Sequence, residues 1–139
     1  MTDILINPGT PIIFKSTGGV LLTPTSITSG AGRISDRADR GATTKPLEYE
    51  WECIVKTAAA ATIGRTLRLF AIQSSAATGA AGTDGGFSHS DAVLGSIELL
   101  RNLTPIGIVQ ADTTANPGTF TGRGFCWLTA RYIQAAIWN

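Results

Sequence analysis

Histidine occurs once in these 139 residues, methionine once, cysteine twice and lysine three times. A metal-dependent enzyme on a β scaffold needs several inward histidines, and the lone His89 does not supply them. Cys53 and Cys126 stand far apart and without ligand spacing, so they do not make a zinc site. Both lie in apolar strand patterns and read as reduced core thiols; a bridge stays open if their strands are neighbours. No apolar run approaches the roughly 18 residues of a membrane-spanning helix. The N-terminus MTDILINPGTP lacks the basic-then-apolar layout of a signal peptide. Together these absences predict a protein made and used in the cytosol, or released only by lysis, with no membrane partner. Net charge is only +1 and the charges are scattered, so there is no basic footprint for direct nucleic-acid binding.

Catalytic constellations are missing too. Ser88, His89, Ser90 and Asp91 invite a triad, but adjacent residues of one loop cannot orient one another as nucleophile, base and orienter. Gly30-Ala31-Gly32 lacks the third glycine of a dinucleotide loop, and no lysine follows a glycine run as in a phosphate-binding loop. Glu48, Glu50 and Glu52 share a strand face about 7 Å apart, without a pocket to work in. The expectation is a chain with no catalytic residue, no cofactor and no metal.

What the chain has in abundance is small residues: Gly, Ala, Ser and Thr make up 62 of the 139. At that density short strands joined by tight turns are favoured over a helical bundle. The length suits one domain, 1–139. Residues 1–32 alternate Gly/Pro punctuation with short apolar runs, Ile4–Ile6, Ile12–Phe14 and Val20–Leu22. Pro8 and Pro11 suit an edge or an extended arm over residues 1–14. The one charged cluster, Arg33, Asp36, Arg37, Asp39 and Arg40, alternates in sign. It reads as a loop that satisfies itself or pairs with a complementary surface.

Glu48–Thr57 is the clearest strand, with Tyr49, Trp51, Cys53 and Val55 on one face and Glu48, Glu50, Glu52 and Lys56 on the other. Arg65–Gln73 repeats the pattern with Leu67, Leu69 and Ala71 inward. Residues 74–90 form a long Gly/Ala/Ser/Thr loop. Ser90-Asp91 caps a short helix over Ala92–Arg101, which Gly95 weakens enough to leave a strand or irregular crossing as the alternative. Leu103–Asp112 reads as a strand and Thr113–Gly124 as a turn region. In the last fifteen residues, FCWLTARYIQAAIWN, both strand faces are apolar, which predicts a segment inside a sheet covered on both sides. Trp51, Trp127 and Trp138 are expected in the core. Seven or eight short strands predict an all-β chain: an antiparallel β-sandwich of jelly-roll or Greek-key type with at most one short helix.

Several segments in order carry a resemblance: Ile34-Ser35 through Asp39-Arg40-Gly41, Tyr49-Glu50-Trp51, the apolar strand ending in Ser74-Ser75, Asp84-Gly85, Leu103-Thr104-Pro105-Ile106-Gly107, and Arg131-Tyr132-Ile133 to Trp138-Asn139. By order and spacing, roughly residues 30–139 resemble the small jelly-roll cement or decoration proteins on the heads of tailed bacteriophages. The resemblance implies a non-enzymatic clamp on the outer capsid surface, made in the bacterial cytoplasm. Its partners would be the major capsid protein and further copies of itself, as a homodimer or homotrimer. The contact surfaces expected are the charged loop Arg33, Asp36, Arg37, Asp39 and Arg40, then an N-terminal arm carrying Ile4, Ile6, Ile12 and Phe14 that adds a strand to a neighbour. The long loop 76–90 is a third. On this reading, removing Arg37 and Arg40 weakens attachment without unfolding the domain. The competing expectation is a tail-associated or lectin-like jelly-roll module that binds a host glycan, marked by exposed aromatics beside acids.

Overall fold

The computed structural model of the chain describes residues 12–15, 20–22, 27–42, 46–57, 60–77, 90–112, 114 and 117–139. Its described elements are β1 (Phe14–Lys15), β2 (Val20–Leu21), β3 (Gly32–Ile34), β4 (Ala38–Asp39), β5 (Glu48–Lys56), β6 (Thr66–Ser74), β7 (Ala92–Leu94), a 3₁₀ helix (Ile97–Asn102), β8 (Thr104–Gln110), β9 (Thr119–Trp127) and β10 (Tyr132–Trp138). One sheet runs β7-β3-β10-β6-β8, with β4 also on β10; β5 and β9 form a two-stranded antiparallel layer, and β1 and β2 a short parallel pair. The fold is all-β, an antiparallel sandwich. The long strands cross between layers: β5 and β9 lie in one, β6, β8 and β10 in the other.

Side-chain alternation sets the layers. Every second residue of β5 faces inward, so Tyr49, Trp51, Cys53 and Val55 pack with Leu69, Val109, Phe120 and Ile137 or with Ala71, Cys126 and Ile133. The opposite face of the large sheet packs Ile34, Ile72, Leu94, Ala136 and Trp138 beneath Leu100 and Leu103 of the 3₁₀ segment and its exit. β10 therefore lies between β3/β4 and β6 in the plane and between two apolar layers across it, which is why both of its faces are apolar.

Trp51 fixes the distance between the layers. Its indole lies over backbone from β8 and β9: a Cβ at Gly107 would collide with the ring, and one at Gly124 would stand 2.9 Å from it. Gly122 is closed off by Val109 at 2.8 Å. Glycine is needed there because a large ring takes the space a side chain would fill.

Four expectations are corrected. The helix over Ala92–Arg101 is instead β7, a break at Gly95-Ser96, and the 3₁₀ turn, whose Ser96 side chain accepts from the Glu98 N–H. The stretch Thr113–Gly124 is not turn throughout, because β9 begins at Thr119 and its glycines serve Trp51. The charged segment Arg33–Arg40 is a loop only in part: Arg33 and Ile34 end β3, Ala38 and Asp39 form β4, and Ser35-Asp36-Arg37 joins the two along β10. Its register on β10 slips by one residue there, from Ile34↔Ala136 to Ala38↔Ile133, which marks a bulge. Trp127 is not core: it is 63% exposed, and Phe125 beside it is 67% exposed.

Candidate functional site

The bulge between β3 and β4 gathers the charged cluster, and nearly all of that charge is used inside the molecule. Arg37 turns inward: its guanidinium donates to Gln134 Oε1 at 3.2 Å, to Ser74 Oγ at 3.4 Å and to the Ala76 carbonyl at 2.8 Å. Gln134 and Ser74 are each 1% exposed and Ser35 is 0% exposed. Gln134 in turn donates to the Ser35 carbonyl at 2.6 Å, and Ser35 Oγ accepts from the Ala135 N–H at 2.9 Å. A buried polar network of this kind is stable only when its members are satisfied. Arg33 pairs with Asp91 at 2.8 Å, and Asp36 accepts from the Asp91 N–H at 2.7 Å, so the bulge also holds the start of the segment that leads into β7.

Asp39 receives two parallel bonds from Arg131, at 2.9 and 2.7 Å, across the β4–β10 pair. Arg40 lies 4.7 Å over the Tyr49 ring, donates to its hydroxyl at 3.1 Å, and bonds the Ala130 and Pro46 carbonyls. Of the predicted contact residues, Arg33, Asp36, Arg37, Asp39 and Arg40 are thus brought together, but as a clasp within the chain. Removing Arg37 takes one donor from buried Gln134 and Ser74, which keep their bonds to Ser35 and Ala76, so a cost in stability is expected beside any loss of attachment. The alternating signs did not give this away, because the partners Asp91, Arg131, Gln134 and Ser74 lie elsewhere in the chain.

The N-terminal candidates divide. Ile12 and Phe14 pack, with Val20, against the cluster of Ala38, Ala71, Cys126, Leu128 and Ile133, so they belong to the chain's own core. Ile4 and Ile6, and most of the 76–90 loop with His89, lie outside the described residues.

Among the described residues, two exposed faces on opposite sides of the sandwich carry charge beside apolar side chains. The first is the outer face of β5–β9. Its register sets Glu48 opposite Trp127 and Glu50 opposite Phe125, then Glu52 opposite Arg123, Ile54 opposite Thr121 and Lys56 opposite Thr119. Glu52 and Arg123 form an ion pair, leaving Glu48 and Glu50 as acids beside two exposed aromatics, with exposed Leu47 adjoining and Ile54 farther along. Sequence reasoning placed Phe125 and Trp127 on one face and missed that the face is outward; each alternates with a residue that packs under β5, and that alternation was the available signal.

The second face lies beyond the large sheet, beside the 3₁₀ helix. Two adjoining open hollows of about 260 and about 340 Å³ share Arg68 and Ile97; Arg65 lines one and Arg101 the other, over Trp138, Phe70 and Leu100. Ile108, opposite Arg68 in the β6–β8 register, is also exposed. Arg101 pairs with Glu98 at 2.9 Å, whereas Arg65 and Arg68 form no ion pair among the described residues.

The shifted thiols are inside: burial pushes Cys53 up, and burial pushes Cys126 up against an opposing pull from Arg40. Both cysteines are free. Among the described residues no group of three or more His, Cys, Asp and Glu is placed to hold a metal ion. Comparison with protein-family models, with curated proteins and with solved structures finds no match to this chain.

Proposed function

We propose that the chain is a non-enzymatic structural protein of a tailed-bacteriophage virion, which binds the outer surface of the major capsid protein lattice and stabilises the DNA-filled head. The single observation that carries this reading is the pair of exposed, apolar and charged faces on opposite sides of one sandwich. A body built that way joins two neighbours at once, and joining neighbours is the work of a cement protein. The order of segments that resembles head-decoration proteins supplies the setting. The changes of layer from β5 to β6, from β8 to β9 and from β9 to β10, with the last strand beside β3, are what favours a jelly-roll connection. A protein that binds only the expanded shell stabilises it by mass action.

Reattachment to heads stripped of the protein tests this. Trp127→Ser and Arg68→Glu, each on an exposed face, are expected to keep the fold and to lower head binding about tenfold or more, as for a central interface residue. Full binding by both variants would sink the assignment of these faces.

The exposed aromatics beside acids also favour a second reading, a glycan-binding module on a phage tail. A sugar ring would stack on Trp127 while Glu48 or Glu50 accepts its hydroxyls. Saturable binding of host-surface oligosaccharide, lost in Trp127→Ser and unaffected by Arg68→Glu, would select that reading over bridging.

A further inference from the structure

We propose that the neighbour which covers the outer face of β5–β9 is the arginine face of another copy of this chain, in a head-to-tail contact. This rests on the bridging reading above and names one of the two neighbours.

The two faces are complementary in charge and alike in apolar content. One presents Glu48 and Glu50 with Phe125, Trp127 and Ile54 exposed. The other presents Arg65 and Arg68, with Arg101 paired to Glu98 beside them and Ile97 and Ile108 exposed. Guanidinium groups pair with carboxylates in a fixed fork and also stack on aromatic rings, so both halves of the acidic face suit the same partner residue type. Two arginine faces would meet with Arg65 and Arg68 opposed; the acidic face also carries Lys56 and the paired Arg123 beyond Glu48 and Glu50, so its pairing with itself is separated by the test below.

The contact is heterologous, since different surfaces of the two copies meet. Such contacts close into rings when the rotation allows and otherwise extend as rows. Because the faces lie on opposite sides of the sandwich, extension is favoured, which suits a protein laid over a repeating lattice.

Size sets the strength. Nine-residue strands make the β5–β9 face about 30 Å long, and two strands make it about 10 Å wide before side chains are counted. That is smaller than the roughly 800 Å² per partner of a stable complex. A single contact is therefore weak, in the micromolar range or above, and firm association requires many copies held side by side.

Sedimentation of the purified chain provides the test. The wild type is expected to self-associate reversibly at high concentration and to dissociate as salt rises from about 0.1 M to about 1 M, where screening shortens from about 10 Å to about 3 Å. The double variants Glu48→Lys/Glu50→Lys and Arg65→Glu/Arg68→Glu should each be monomeric, with association at least about tenfold weaker. Mixed in equal amounts they should associate again, because each altered face then meets its complement. That recovery also shows that both variants are folded.

A wild type that stays monomeric up to about 1 mM, association untouched by either double variant, or a mixture that does not recover would overturn the contact. Loss in only one of the two variants would indicate a face pairing with itself and would overturn it equally. These outcomes are separate from failure of the bridging reading, which is decided on virions rather than on the isolated chain.

Discussion

At the residue scale the molecule depends on a few side chains whose surroundings leave no alternative. Trp51 occupies the space that Gly107 and Gly124 leave open. Gly124→Ala is expected to destabilise the fold by about 1–3 kcal/mol through overpacking, read as a lower urea midpoint with an unchanged slope. Arg37 is the second such residue. Arg37→Ala removes the donor to Gln134 and Ser74, both buried, and should lower stability by about 1–3 kcal/mol. Arg123→Ala, which breaks only an exposed pair with Glu52, should change it by less than about 1 kcal/mol. The contrast separates an internal clasp from a surface ion pair, although the sequence shows the same residue type in both places.

The thiols give a pH signature at this scale. Cys53 and Cys126 hold their protons more tightly folded than unfolded, because burial disfavours the thiolate. Their contribution is fully present below the ordinary thiol range and is lost as pH rises through it toward the raised values. Unfolding midpoints should therefore fall above about pH 8.5, and the fall should shrink in a Cys53→Ala/Cys126→Ala variant. Labelling of the buried Cys126 should await unfolding.

At the scale of elements, legibility followed how much of a strand's pattern its own side chains express. β5 was readable because all nine residues alternate, and β10 because it is apolar on both faces. β9 was half hidden: its inward positions include Gly122 and Gly124, which look like turn residues until Trp51 is seen above them. The same strand's Phe125 and Trp127 look like core until their register on Glu50 and Glu48 shows them outside. The bulge between β3 and β4 could not be read, because a one-residue slip depends on the partner strand and not on local composition. β10 is paired along both edges and covered on both faces, so its amides should exchange slowest in the protein. Hydrogen exchange that finds β10 no slower than β7 would mean that the large sheet does not form the stable centre.

For the whole molecule, the division of labour is between a closed interior and two open faces. The charged cluster that the sequence offers as a contact surface instead locks β3, β4, β10 and the entry to β7 together. Surface chemistry is left to opposite sides of the sandwich: acids with aromatics on β5–β9, arginines with aliphatics beside the 3₁₀ helix. The candidate site was thus only partly legible, since the exposure of Phe125, Trp127 and Arg68 is a property of layer order. A bridging role on a virion requires many copies, one for each junction or nearly so. Quantitative mass spectrometry of purified virions, counting this chain against the most abundant shell protein, addresses that requirement directly. A copy number comparable to the shell protein is expected of a lattice-covering cement. A number far below it would point to a tail part that binds a receptor, and absence from the virion would refute the structural role.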